Sequence, residues 1–259
     1  MTLVKIGGAL VDDPAALAAF WQGVARLLAE GRRVVVVHGG GPQSSALTRR
    51  LGGTPKMVAG RRVTGDLDLD VTAYAIRGKA SALLVATARA AGIDAVGVAG
   101  LDGRLVAAVR RPPVVVDGET VDFGHVGDVV GTDPALLGAL LDAGFVPVVA
   151  PLCADDAGRL LNVNADTVAC ALARALGASA FRLVTETGGV RRRAEDPASH
   201  LDVLDAATVA EGVGEGWIAG GMRPKLDVAL QALAAGVGDV SILAPEHLRD
   251  GAGGTRVTA

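Results

Sequence analysis

Short apolar runs alternate with longer segments of helical spacing along the whole chain. The runs cover residues 3–6, 34–37, 94–101, 145–151, 180–184 and 240–243, and several lead into glycine. Residues 34–37 are four valines in a row, stiff at χ1 and suited to an extended chain. No polar face interrupts them, as expected of a strand buried on both sides in a parallel sheet. Between the runs, apolar residues recur at three and four positions, as at Leu17, Phe20, Val24 and Leu27. That spacing predicts helices over 14–30, 43–51, 68–91, 134–143, 167–176, 208–216 and 220–235. Asp13-Pro14 and Asp133-Pro134 each pair an N-cap with a proline at the first helical position, and Gly31 and Gly92 stop helices. Residues 56–64 predict a hairpin around Gly60-Arg61, and 105–123 read as hairpin material with a turn at Asp117-Gly118. A short strand is expected at the C-terminal end, over 253–257. Strands alternating with helices predict an α/β sandwich on a mostly parallel sheet, with ligands bound where strands end and helices begin.

Composition narrows the function classes. The chain has 259 residues, 50% of them hydrophobic, enough for a full core in one or two domains. A net charge of -3 and 3% aromatics argue against nucleic-acid or membrane partners. No uncharged apolar run reaches the ~18 residues of a membrane helix, and no signal-peptide pattern precedes the first strand. Cys153 and Cys170 do not make a disulfide framework and read as buried apolar side chains. A reducing, cytoplasmic setting is expected. Only four of the 25 basic residues are lysines, and two of them, Lys5 and Lys225, sit beside glycine pairs. A compact ammonium, rather than a planar fork, suits those positions.

The candidate chemistry lies at the glycine turns. The valine strand runs into His38-Gly39-Gly40-Gly41, a strand–turn–helix arrangement that suits an anion. Lys5 interrupts the first apolar strand one residue before its end, and a buried lysine there demands a negative partner. Asn162, Asn164 and Asp166, each two residues apart, converge ahead of an alanine-rich helix, which Asp166 is expected to help cap. The P-loop, G-x-G-x-x-G and G-x-S-x-G patterns are absent, and no histidine pair has metal spacing. No metal ligands are expected in the protein. His38 is expected to pack behind the site rather than act as a base. Glycine turns, two lysines and an Asn/Asn/Asp strand end are equipment for phosphoryl transfer without a P-loop.

Lys5-Ile6-Gly7-Gly8, His38-Gly39-Gly40-Gly41, Arg62-Val63-Thr64, Asn162-Val163-Asn164-Ala165-Asp166 and Gly220-Gly221-Met222-Arg223-Pro224-Lys225 occur in order along almost the whole chain. In that order and spacing the sequence resembles the amino acid kinase superfamily, and within it the acetylglutamate kinases. The resemblance implies a three-layer α/β/α sandwich, usually a homodimer, and phosphorylation of the γ-carboxylate of N-acetyl-L-glutamate by ATP with Mg²⁺ carried on the nucleotide. It implies an N-terminal lobe, 1–176, for the amino acid and dimerisation, and a C-terminal lobe, 177–259, for ATP. Lys5 and Lys225 would stabilise the transferring phosphoryl group and Asp166 would orient them. Gly7, Gly8 and Gly40 would donate backbone N–H to that group, with Asn164 close by. Gly40, Gly41, Arg62 and Asn162 would hold the acceptor. Glu186, Thr187, Gly188, Gly189, Val190 and Arg191, with Trp217, Ile218 and Ala219, would meet the nucleotide.

Two segments depart from the family pattern: Thr185-Glu186 stands where Thr/Ser-Asp is usual, and Gly78-Lys79-Ala80-Ser81-Ala82 where Gly-x-x-Asn-Lys is usual. The family's arginine-inhibited hexamers carry an added N-terminal helix, so an arginine-insensitive dimer is expected here. Two alternatives stand beside this reading. One is a kinase for glutamate or 2-aminoadipate linked to an acidic carrier protein. The other is a non-catalytic amino-acid-sensing relative.

Overall fold

In the computed structural model, residues 1–116, 118–248 and 253–259 are described. An eight-stranded sheet runs through the molecule in the order Val203–Leu204, Thr255–Val257, Asp239–Leu243, Ala180–Val184, Thr2–Ile6, Val34–His38, Val146–Ala150, Ala95–Ala99. The six strands from Asp239–Leu243 to Ala95–Ala99 are mutually parallel. Thr255–Val257 runs antiparallel to Asp239–Leu243 and carries the last strand alongside it. Both central strands, Thr2–Ile6 and Val34–His38, are buried along their whole length, as a parallel sheet covered on both faces requires.

Alternate side chains divide the core into two layers. Leu3, Val35 and Val37 pack with the helices Ala165–Ala175 and Met222–Ala234. Val4, Ile6, Val34 and Val36 pack with Pro14–Ala29 and Ser81–Ala90. The expected α/β class, with helices over both faces of a mostly parallel sheet, is therefore what the chain forms. Thr2–Ile6 and Ala180–Val184, which lie on either side of position 176 in the sequence, pair directly, so the sheet is continuous between them.

Most predicted elements fall within a few residues of their expected ends, and two differ. The 68–91 helix begins at Asp66, and its middle, Ala73–Ala80, is a π-helix. Apolar spacing does not distinguish a widened turn from an ordinary one, and such turns often mark functional positions. This one sets Ile76 against Gly40, where a Cβ on Gly40 would lie 2.6 Å from Ile76 Cγ1. In 105–123, the strand Val106–Arg110 pairs not within that stretch but with Gly127–Thr132, in a separate four-stranded sheet. Pro112-Pro113 cannot donate to a ladder, so the chain leaves the sheet there. The hairpin itself is Val114–Val116 with Glu119–Val121; Gly118 has φ +84° as the turn needs, and Asp117 lies outside the described residues. The hairpin predicted around Gly60 forms between Met57–Val58 and Arg61–Arg62.

Candidate active site

Because the parallel strands share a direction, their C-terminal turns collect at one edge of the sheet. Lys5 reaches this edge from Thr2–Ile6 and is only 5% exposed. Its ammonium meets Asp166 Oδ1 at 2.7 Å, while Lys225 Nζ lies 3.6 Å from Asp166 Oδ2. Lys225 comes from the first turn of Met222–Ala234 and also donates to the Gly221 carbonyl at 2.9 Å. The negative partner demanded by the buried lysine is thus Asp166. Burial pushes the Asp166 carboxyl up, but the two ammonium groups outweigh it and hold the group below its ordinary 3.8. Burial lowers the Lys225 ammonium more than the Asp166 charge raises it, and the Lys5 charge adds to the lowering, which leaves Lys225 below its ordinary value.

Asp166 does not cap its helix, contrary to expectation. Asn164 does, its Oδ1 accepting from the N–H groups of Asp166 at 2.8 Å and Thr167 at 3.1 Å. The cap frees the Asp166 carboxylate, within the first helical turn, to hold both lysines. Nor do the three polar residues share an extended segment. The strand ends at Asn162, whose Nδ2 donates to Thr64 Oγ1 at 3.1 Å.

The glycine turns after Thr2–Ile6 and Val34–His38 lie backbone against backbone. A Cβ on Gly8 would come 2.7 Å from Gly40 N and 2.9 Å from Gly40 Cα. Gly7 N–H already donates to the Val184 carbonyl at 3.0 Å, so it is not free to donate to a phosphoryl group as expected. Gly8 and Gly40 N–H have no protein acceptor among the described residues.

Two clefts open on either side of this point. The first, about 250 Å³, is lined by Gly40, Gly41, Arg62, Asn162, Asn164 and Asp166. Arg62 is held in it by Gly41 O at 3.1 Å, Ser45 Oγ at 2.5 Å and Asp68 at 3.7 Å. The second, about 300 Å³, is lined by Gly7, Pro42, Glu186, Thr187, Gly221 and Lys225, among others. Lys5 and Gly8 line both.

The other expected nucleotide residues do not line the second cleft. Val190 and Ile218 belong to the hydrophobic core, at 1% and 3% exposure. Gly188 and Gly189 turn the chain at φ +67° and +156°. Arg191 donates to the Ala194 carbonyl. Trp217 lies under the Arg192 guanidinium at 5.2 Å from the ring centre, and Ala219 is exposed. Sequence reasoning missed Arg61, Met57 and Arg111, which line the first cleft. Arg111 is fixed by Asp128 at 2.5 Å, a pairing across 17 residues that no local motif marks.

His38 is fully buried, its Nδ1 2.9 Å from the Gly39 carbonyl. Burial is the main reason its pKa falls to about 4, so it is neutral near pH 7 and unsuited to proton transfer there. Cys153 and Cys170 are buried free thiols, and burial pushes Cys153 up to about 12.

Two clefts that meet at a lysine-flanked glycine turn, on an α/β/α sandwich without a P-loop, define a phosphotransferase site. The model of the amino acid kinase family matches residues 1–244, and the chain belongs to that family. The relatives narrow this to one kind of kinase. An acetylglutamate kinase from Anaeromyxobacter dehalogenans strain 2CP-C is 45% identical over 244 residues, 93% of this chain and 90% of that protein. One from Methanopyrus kandleri is 40% identical over 253 residues, 98% of each. Among solved structures, smu.665 from Streptococcus mutans UA159 has a TM-score of 0.85 at 28% identity, covering 100% of this chain and 98% of that one. The N-acetylglutamate synthase from Neisseria gonorrhoeae, complexed with coenzyme A and N-acetyl-glutamate, has a TM-score of 0.82 at 25% identity, with 59% of its chain covered.

Proposed function

We propose that this chain is an acetylglutamate kinase. It transfers the γ-phosphoryl group of ATP to the γ-carboxylate of N-acetyl-L-glutamate, giving N-acetyl-L-glutamyl 5-phosphate in the second step of arginine biosynthesis. The observation that carries the reading is the meeting of two clefts at Lys5 and Gly8, with Asp166 holding Lys5 and Lys225 there. A carboxylate oxygen of the acceptor bonds to the γ-phosphorus. The bond from that phosphorus to the β,γ-bridging oxygen breaks, and its electron pair leaves on ADP. The acceptor is already ionised at neutral pH, so no base is required, in keeping with a neutral, buried His38. Lys5 and Lys225 meet the charge that spreads over the equatorial oxygens, and the N–H groups of Gly8 and Gly40, which have no protein acceptor among the described residues, are free to donate to them. Arg62 takes the acceptor's α-carboxylate as a fork, beside Gly40, Gly41 and Asn162, and Asn164 lies near the moving group.

All residues of the first cleft precede position 177, while the second adds Thr185–Thr187, Gly221, Met222 and Lys225. This supports an acceptor lobe at 1–176 and a nucleotide lobe at 177–259. ATP lies against Glu186 and Thr187. Gly188–Arg191 and Trp217–Ala219 shape the loops behind. Asp166 is engaged by two ammonium groups, and among the described residues no group of three His, Cys, Asp or Glu could hold a metal. That donor set fits a Mg²⁺ that arrives with the nucleotide and neutralises its phosphates. The reading includes a cytoplasmic homodimer insensitive to arginine; a hexamer in sedimentation, or inhibition by arginine, refutes that part. No helix of the described residues is long and apolar enough to cross a membrane.

The test is ATP-dependent acyl-phosphate formation trapped with hydroxylamine, on N-acetyl-L-glutamate beside glutamate and N-acetyl-L-aspartate. Turnover confined to N-acetyl-L-glutamate supports the reading. No turnover on any free amino acid overturns it in favour of a carrier-linked kinase or a sensor.

A further inference from the structure

A side chain that takes no part in the transfer ties the two glycine turns together. Gln43 is the third residue of the helix Gly41–Arg50 and is 6% exposed. Its Nε2 donates to the Gly8 carbonyl at 2.7 Å and to Asp12 Oδ2 at 2.8 Å. Both partners are acceptors only, so the amide has one acceptable orientation: turned over, its oxygen would face two oxygens. Its Oε1 is buried without a partner among the described residues, a cost accepted in order to aim both hydrogens one way. The contact between Gly8 and Gly40 has no side chains of its own to set its spacing. Gly7 O accepts from Leu10 N–H at 3.2 Å and Gly8 O is anchored on Gln43. The peptide units on both sides of Gly8 are therefore pinned.

We propose that Gln43 is a positioning residue for phosphoryl transfer. By fixing the Gly8 carbonyl across 35 positions of sequence, it holds the Gly8 Cα in place, and with the Gly7 carbonyl held by Leu10 keeps the Gly8 N–H available to the transferring group. Its hydrogen bond to Asp12, the residue that ends the short helix Gly8–Val11, is a separate structural tie. This inference rests on the reading that Gly8 faces the phosphoryl group.

Three full-length variants separate the two links. Gln43→Met removes both hydrogen bonds at similar length. Gln43→Glu keeps the shape but offers no hydrogen. Gln43→Glu with Asp12→Asn restores only the link between residues 43 and 12, now donated by the asparagine. In all three, kcat is expected to fall about tenfold or more, as for misaimed transition-state donors. The KM for N-acetyl-L-glutamate is expected to stay within about twofold, since the interaction matters in the transition state. The double variant is expected to recover the melting temperature lost in Gln43→Glu, but not its kcat. Recovery of kcat together with melting temperature overturns the proposal, leaving Gln43 a structural tie. A raised KM at unchanged kcat also overturns it, making Gln43 an acceptor contact. A native rate in Gln43→Met removes this inference alone, while an unaltered chain without turnover removes the functional reading and the inference with it.

Discussion

Replacing Asp166 by asparagine tests the electrostatic centre of the site while preserving its volume. The carboxylate holds Lys5 at 2.7 Å and Lys225 at 3.6 Å, with 6% of its own side chain exposed. Removing its charge leaves the Lys5 ammonium buried beside another cation. Breaking a buried ion pair from one side costs about 3–5 kcal/mol. At an m-value of about 3 kcal/mol/M in urea, the unfolding midpoint falls by 1 M or more. The pH dependence has a defined sign. The folded carboxyl sits below its ordinary 3.8, so its stabilisation is present above that value and is lost as pH falls through the lower folded one. Asp166→Asn lacks this contribution and loses its stability difference from the parent chain in strong acid. Lys5→Met combined with Asp166→Leu removes both buried charges and is expected to cost less than Asp166→Asn, while abolishing transfer. Urea unfolding at neutral pH decides the matter: a midpoint shift below about 0.3 M for Asp166→Asn would refute the reasoning.

Other perturbations address neighbouring parts. His38 has a pKa of about 4 in the fold against an ordinary 6.5, so its neutral burial stabilises the fold above 6.5. That contribution, roughly 3 kcal/mol, is lost as pH falls from 6.5 to 4. His38→Asn, whose amide can replace the Nδ1–H bond to Gly39, flattens stability over that window; an unchanged pH profile by thermal unfolding speaks against it. Gly8→Ala brings a Cβ to 2.7 Å from Gly40 N, and kcat is expected to drop at least about tenfold as the turns separate; a native kcat shows that they give way freely. Lys225→Ala is expected to lower kcat by about a hundredfold or more with little change in KM, and steady-state kinetics on both substrates check it. Arg62→Lys loses the fork and is expected to raise the acceptor KM about tenfold; a change in the ATP KM alone assigns Arg62 to the other ligand.

What the sequence made legible follows from how far apart the determinants lie. The valine strand, the proline-led helices and the glycine stops are local signals, and each became the element it predicted. Lys5 was identifiable because a lone ammonium in an apolar strand is physically anomalous, and the anomaly itself required a partner such as Asp166. The division of labour between Asn164 and Asp166 was not legible. Either residue can cap a helix, and the choice depends on Lys5, 161 positions away in the sequence. The π-turn at Ala73–Ala80 preserves the apolar spacing that would have revealed it. Val190 and Ile218 look like loop residues beside glycines, but the fold turns them into the core. Arg111 escaped notice because its partner Asp128 lies on a strand 17 positions away, and Arg61 because a hairpin prediction does not say which cleft the hairpin borders.

The sharing of Lys5 and Gly8 by both clefts has a consequence for inhibition. Lys5 and Gly8 line both clefts, so a single molecule that spans them meets the same two residues from both chambers. A compound that joins an adenosine polyphosphate to an acylated glutamate through a bridging phosphate makes its second engagement intramolecular. A tether of matching length supplies an effective concentration near the millimolar range, and such a ligand is expected to bind about 10²–10⁴ times more tightly than either half. Under the proposed assignment, the gain comes from the tether across the shared junction rather than from any new contact.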